Sequence, residues 1–266
     1  MKYFSMKHKP MYLVILMAIV FSSCVPQKKM LFLKDATMQT ETLSQNYEND
    51  RSVDYKLQPG DNLYIQAINL VDERSASMFN GGSAGSRSTT LSSDASIYLV
   101  SYNIDENGCI EMPLVGQVEV KNLTVEEAKN KLQAAINQYI KETMLIVKLA
   151  NFNLTITGEV NKPGMYKVYQ AQINLFEALS MAGNVTTFAK NDEVKIIRQT
   201  DTGSEIVAVN LGQADILSSP YYYLKPNDII YVEPLKIKQW GFSAFPYSTV
   251  ISVLALGITF FTLFKK

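Results

Sequence analysis

The residues best suited to chemistry are two aspartates that hold the same place in two nearly identical segments. Asp61 lies in "LQPGDNLYI", which begins at Leu57, and Asp228 lies in "LKPNDIIYV", which begins at Leu224. Two carboxylates could share acid–base work if the fold brought them together. Each aspartate directly follows a turn, however, where its side chain can accept hydrogen bonds from nearby backbone N–H groups. Turn stabilisation is therefore the favoured role, and a carboxylate pair is the alternative.

Other reactive side chains are scarce. The single histidine, His8, lies in the N-terminal leader, which leaves little scope for histidine catalysis or a zinc site. Cys109 follows a turn and is expected to be an ordinary strand residue. The 25 basic and 25 acidic residues cancel, so no basic surface for nucleic acid is expected. We predict no catalytic site, no metal, no cofactor and no nucleic-acid partner.

Three consecutive tyrosines offer a possible binding surface for sugar. Aromatic rings can stack on sugar rings, and Tyr221 and Tyr223 would point to the same side of an extended chain. They are candidate sugar contacts. Packing within a strand or between subunits is the favoured alternative, because alternation buries every second ring.

Glycine, asparagine and proline predict the turns that position these residues. Pro59 and Gly60 suit a type II turn, and Asn227 replaces Gly60 in the second segment as the next-best residue for positive φ. The predicted turn residues are Pro59, Gly60, Asp61, Asn107, Gly108, Pro163, Gly164, Pro226, Asn227 and Asp228.

The hydrophobic pattern between these turns predicts an α+β fold with two small domains, each combining a mixed β-sheet with a helix. Residues 54–150 form the first domain, whose helix begins with a capping box at Thr124. Its Ser- and Gly-rich stretch, 73–96, is predicted to be a flexible insertion. Residues 151–235 form the second domain, with a helix that begins at Asn174 and a β-grasp-like plan.

The N-terminus predicts attachment to a membrane. Residues 1–23 combine lysines, a short apolar stretch and small residues, as a signal peptide does. Cys24 then resembles the acylated cysteine of a bacterial lipoprotein, and 24–53 would be its tether. Val25 is not the aspartate that favours inner-membrane retention, so the outer membrane is expected. An uncleaved N-terminal anchor is the alternative.

The C-terminus carries an uncharged apolar stretch over 241–264, which predicts a transmembrane helix at the end of the chain. Small and hydroxyl residues recur on one face of it, where they could contact neighbouring helices or line a wet pore. This predicted face consists of Ser248, Ser252, Ala255, Thr259 and Thr262. A simple single-pass anchor is the alternative.

Several motifs in order carry a family resemblance. "YKLQPGDNLYI" and "IDENGCIEMPLVGQVEVKNLTVEEAKNKL" look like the export domain of Wza-like outer-membrane polysaccharide export lipoproteins. "ITGEVNKPGMYKV", "LFEALSMAGNVTTFAKNDEVKIIR" and "YYYLKPNDIIYVEP" are similar to the soluble-ligand-binding β-grasp domain that follows it. The best-known members carry two β-grasp units, whereas this chain has one.

The resemblance implies a ring-shaped homo-oligomer that exports capsular polysaccharide or exopolysaccharide through the outer membrane. It also implies a lipid on the inner leaflet, a periplasmic body, C-terminal helices that form a pore, and an inner-membrane copolymerase, possibly of the tyrosine-kinase type, as partner. The alternative function is a lipid-anchored binding module for a soluble ligand, without a channel.

Overall fold

The protein is an α+β chain with two successive domains and a separate C-terminal helix. The computed structural model describes residues 32–33, 46–49, 55–80, 94–200, 202–236, 238 and 247–264. The predicted signal peptide and Cys24 fall outside these residues.

The first domain is built on a three-stranded antiparallel sheet and a separate hairpin. Its strands are β1 (Asn62–Ile68), β2 (Tyr102–Asn103), β3 (Cys109–Met112), β4 (Gly116–Glu119) and β5 (Met144–Leu149). The sheet order is β2-β1-β5, and β3 pairs with β4. Its helices are α1 (Glu73–Ser77), α2 (Asp94–Val100) and α3 (Val125–Ile136).

Helix α3 begins where the sequence predicts it. The Thr124 hydroxyl accepts from the Glu127 N–H at 3.1 Å, and the Thr124 N–H donates to the Glu127 carboxylate at 2.7 Å. This confirms the predicted capping box, which satisfies two donors that the helix itself leaves unpaired. The helix buries Leu132 and Ile136 in the core of the first domain.

The predicted flexible insertion starts too early. Residues 73–77 form α1, because the Asp72 side chain caps its N-terminus by accepting from the Ser75 N–H at 3.0 Å. Ala76 and Phe79 are then fully buried in the core. One aromatic side chain within a Ser-rich stretch is enough to anchor it, because burying such a ring is strongly favourable.

The second domain is a five-stranded mixed sheet with one helix. Its strands are β6 (Asn153–Gly158), β7 (Gly164–Lys167), β8 (Ala189–Thr200), β9 (Gly203–Val209) and β10 (Ile229–Pro234), in the order β7-β6-β10-β8-β9. The pair β6–β10 is parallel and the other pairs are antiparallel. Helix α4 (Leu175–Met181) and a 3₁₀ helix (Ala214–Ser218) flank the sheet.

The prediction of a type II turn at Pro163 and Gly164 is wrong. Gly164 lies in the strand β7, and its backbone is not in the left-handed region. The positive φ falls instead on Gly158, at +90°, where a Cβ atom would lie 2.1 Å from the Val232 carbonyl oxygen. Glycine is needed there because β10 runs too close for any side chain.

The C-terminal helix α5 spans Tyr247–Phe264, which is 18 residues. At about 1.5 Å per residue it is about 27 Å long, shorter than an apolar layer of about 30 Å. Among the residues that the structure describes, no helix has both the length and the apolar character needed to cross a bilayer. The predicted transmembrane span over 241–264 is therefore not supported among the described residues.

Candidate functional site: the domain junction and the aromatic groove

The two repeated segments fold into the same turn. The Asp61 carboxylate accepts from the Gln58 N–H at 3.0 Å, and the Asp228 carboxylate accepts from the Lys225 N–H at 2.8 Å. In each turn the aspartate N–H also donates back to the carbonyl three residues earlier, at 3.1 and 3.2 Å. Both aspartates thus close their own turns.

The backbone of both turns depends on a left-handed residue directly before the aspartate. Gly60 has φ +91° and Asn227 has φ +66°, and Pro59 and Pro226 precede them. Glycine and asparagine are the residues that adopt this conformation most easily. Gly108, at φ +83° after Asn107, has the same backbone need in a different turn.

The two carboxylates differ in their further partners. Asp61 accepts from the Tyr55 hydroxyl at 2.8 Å, which is a neutral donor. Asp228 is fully buried and forms a bidentate pair with Arg198, with Nε donating to Oδ1 at 2.9 Å and Nη2 donating to Oδ2 at 2.7 Å. Two parallel charge-assisted bonds fix the position of the Asp228 carboxylate.

Burial governs the electrostatics of the Tyr55–Asp61 pair. It raises the pKa of the Asp61 carboxyl, although hydrogen bonds from Gln58, Tyr55 and Asn151 act in the opposite direction. Burial also raises the pKa of the Tyr55 hydroxyl, with the charge of Asp61 second and a smaller contribution from Asp228. Tyr55 therefore stays a hydrogen-bond donor across the physiological range.

The two turns meet at the chain segment that links the domains. On the first-domain side, the Asn62 N–H donates to the Asn151 side chain at 3.0 Å, and the Asn151 amide donates to the Gly60 carbonyl at 3.3 Å. On the second-domain side, the Asn227 N–H donates to the Asn153 carbonyl at 2.8 Å. We call residues 150–155 together with the two turns the junction.

The charged groups of the junction are committed to structural contacts. At Asp61 the Tyr55 hydroxyl and the Gln58 N–H both donate to Oδ2, whereas at Asp228 both oxygens accept from Arg198. Within the described ranges no group of three or more His, Cys, Asp or Glu side chains could hold a metal ion. The arrangement is suited to holding two domains together.

The predicted tyrosine alternation is not present, because residues 221–223 precede β10 and do not form a strand. The Tyr221 hydroxyl donates to Glu205 at 2.5 Å, and this bond is the main cause that raises its pKa. The Tyr221 ring lies 5.1 Å from the Arg198 guanidinium carbon. Tyr221 thus packs on the charged pair of the junction.

Tyr222, which sequence reasoning passed over, belongs to a row of aromatic rings. Its ring centroid lies 5.0 Å from that of Tyr223 and 6.4 Å from that of Phe176 on α4. Tyr222 and Phe176 line a groove of about 680 Å³ beside α4, which we call the aromatic groove. The groove is hard to predict from the sequence, because Phe176 and Tyr222 lie 46 positions apart.

The small-residue face of α5 uses its hydroxyls within the helix. Ser252 donates to the Ser248 carbonyl at 2.7 Å, and Thr259 donates to the Ala255 carbonyl at 2.7 Å. Thr262 lies in the helix, but its side chain is outside the described part. Apolar side chains of α5 are exposed around the helix, including Ile251, Val253, Leu256, Ile258 and Phe260.

Comparison with known proteins assigns both domains. Residues 49–150 match the family described as polysaccharide biosynthesis/export protein, and residues 153–232 match the SLBB domain. The matches follow one another in the order that the motifs predict, and together they cover more than half of the chain. The chain belongs to the Wza-like polysaccharide export family.

Two curated relatives are similar to part of this chain. One is the EPS I polysaccharide export outer membrane protein EpsA of Ralstonia solanacearum, 28% identical over 102 residues, which is 36% of this chain and 27% of that protein. The other is the protein of the same name from Ralstonia nicotianae, 26% identical over 101 residues, 36% of this chain and 26% of that protein. The match thus spans about a quarter of each relative.

Proposed function

We propose that this protein exports capsular polysaccharide or exopolysaccharide from the periplasm to the cell surface. The observation that carries the proposal is the succession of an export domain and one SLBB domain in a chain similar to export outer membrane proteins. The protein acts without catalytic turnover, by providing a hydrated path. The junction supports this role because hydrogen bonds between the Asp61 turn and Asn151 hold the two domains in a fixed relation.

The proposed form is a ring of identical chains anchored in the outer membrane by a lipid on Cys24. The exposed apolar side chains of α5 support assembly, because apolar surface of this extent is normally covered by a partner. The face of Ser252 and Thr259 allows close approach of a neighbouring helix, since their hydroxyls are already bonded to the backbone. An inner-membrane polysaccharide copolymerase would deliver the polymer.

Export is tested by deleting the gene and quantifying polysaccharide released from the surface of intact cells. The expected result is loss of surface polymer with retention inside the cell, restored by the full chain. Unchanged surface polymer would refute export. The alternative function, a lipid-anchored binding module, predicts unchanged surface polymer and a monomer in detergent. Electron microscopy of the extracted protein separates the two functions, because only the export channel should form rings.

The helix face is tested by Ser252→Leu with Thr259→Leu. The larger side chains should prevent close helix approach and reduce both ring yield and surface polymer. Ile258→Leu, on another face of the same helix, is the matched control and should leave both unchanged. Normal rings in the double variant would remove this face from the assembly.

A further inference from the structure

Two residues of the chain's own N-terminal tether lie at the aromatic groove beside α4. The Phe32 ring packs edge-on against Phe176, with centroids 6.0 Å apart and an interplanar angle of 71°. Leu33 lines the groove, and its N–H donates to the Leu211 carbonyl at 2.9 Å. An aromatic contact and a backbone hydrogen bond are the two kinds of contact by which proteins hold a short peptide segment.

The backbone of the segment is also specialised. Leu33 has φ +51°, a left-handed conformation that is unfavourable for a branched apolar residue. Such a conformation persists where the surroundings impose it. Here the second domain supplies those surroundings through the contacts of Phe32 and Leu33.

The sequence around these two residues matches the groove. Met30 to Leu33 is an apolar run bounded by Lys29 and Lys34 within an otherwise polar tether. Apolar and aromatic side chains line the groove together with four polar ones, Gln170, Asn174, Glu177 and Ser180. The two described residues of this run, Phe32 and Leu33, thus match the apolar part of the groove.

We propose that the aromatic groove is a binding site for the chain's own N-terminal tether, held in place by Phe32 and Leu33. The occupant is an apolar peptide segment of the same chain, and the sugar contact predicted for the neighbouring tyrosines is not its purpose. The strap thus formed connects the second domain directly to the residues that follow Cys24.

The strap sets how far the body can lie from a lipid on Cys24, a consequence that rests on the proposed acylation. Phe32 is eight residues beyond Cys24, so the groove must lie within roughly 27 Å of the lipid. Without the strap, the next residues that the structure describes are 46–49, roughly 75 Å of extended chain from Cys24. Docking therefore shortens the distance by which the second domain can separate from the membrane surface.

A photo-reactive residue tests the docking in the full chain. Benzoylphenylalanine at position 32, irradiated in isolated membranes, should cross-link to a peptide that contains Phe176 or Tyr222, in a band of single-chain mass. A cross-link found only at twice that mass would mean that a neighbouring copy fills the groove. No cross-link to the groove would overturn the proposal entirely.

Two variants sharpen this result. Phe176→Ala should lower the cross-link yield roughly two- to tenfold, as expected for loss of an aromatic pair. Met165→Ala, on an exposed side chain of the same domain, should leave the yield unchanged. An equal yield in both variants would contradict docking by Phe176.

A variant in the tether tests the docking without changing any residue of the second domain. Phe32→Ala changes a side chain outside the core and should speed trypsin cleavage after Lys34 by a similar factor. An unchanged cleavage rate would count against the strap. Acyl labelling at Cys24, measured separately, distinguishes failure of the lipid anchor from failure of the docking, because the cross-link does not require the lipid.

Discussion

The turn around Asp61 and the turn around Asp228 share a backbone, but their carboxylates differ in setting. Asp61 has the phenol of Tyr55 as its further partner, and Asp228 has the guanidinium of Arg198. The turn itself needs only a residue that accepts positive φ and a carboxylate that accepts one backbone N–H. The further partner of each carboxylate is independent of the turn. It determines how much free energy of unfolding is lost when the contact is removed.

The difference predicts that the Asp228 turn is the more fragile of the two. A bidentate pair can offset the desolvation of two buried charges, but removing one member leaves the other unpaired. A neutral hydroxyl contributes less and leaves less behind when it is lost. The following variants test this comparison, in order of decreasing effect on the free energy of unfolding.

The largest effect is expected for Arg198→Met, which leaves the Asp228 carboxylate buried without its cation. We expect a loss of about 3–5 kcal/mol in the free energy of unfolding, measured by urea titration of the full chain in detergent. Adding Asp228→Asn should recover part of this loss. The exposed Arg74→Met is the control and should change little; a similar cost for both arginines would refute the comparison.

Tyr55→Phe is the corresponding change at the first turn. It removes one hydrogen bond to Asp61 and leaves a carboxylate that still accepts from Gln58. The expected loss is about 1–3 kcal/mol, smaller than that of Arg198→Met in the same titration. If Tyr55→Phe were the costlier change, the neutral partner would be the more important one.

The left-handed positions give a third, smaller effect. Gly60→Ala should cost about 1–2 kcal/mol from backbone strain alone, because no atom lies within 4 Å of the added Cβ. Asn227→Gly should be nearly neutral, since glycine accepts the same φ of +66°. Thermal unfolding should give a lower midpoint for Gly60→Ala than for Asn227→Gly. Equal midpoints would contradict a shared requirement for positive φ in the two turns.

The smallest effect is a pH dependence that belongs to Asp61. Burial raises its folded pKa above the ordinary value of 3.8. The folded state therefore binds this proton more tightly, so its stabilising contribution is present below about pH 3.8 and is lost as the pH rises through the folded pKa.

The pH dependence is measured by urea titrations from about pH 4 to about pH 7. Relative to the wild type, Asp61→Asn should gain stability as the pH rises through this range, because asparagine does not ionise. Asp215→Asn, on an exposed side chain, is the control. A constant difference between Asp61→Asn and the wild type would mean that Asp61 does not titrate differently on folding.

Local signals predicted much of the fold. The capping box at Thr124, the helix start at Asn174, and the positive φ of Gly60, Gly108 and Asn227 follow from residues within a few positions of one another. The two domains were recognisable because several such motifs occur in a fixed order. The misses lie where a local signal was overridden: Phe79 anchors a stretch that its serines made look flexible.

The candidate sites were less predictable. Arg198 gives no sign in the sequence that it pairs with Asp228, and Tyr222 was passed over for Tyr221 and Tyr223. The apolar run that contains Phe32 was visible within a polar tether, but its binding surface was not. Each of these contacts joins residues at least 30 positions apart, beyond the reach of turn or helix patterns.

The sequence by itself determined the two turns, because φ preferences and bonds between residues three apart are local properties. Only the tertiary structure decided that both turns contact the linker between the domains, that Asp228 faces the Arg198 guanidinium, and that Phe32 reaches Phe176. These outcomes depend on how sheets and loops pack across long separations, where many pairings satisfy the same local pattern.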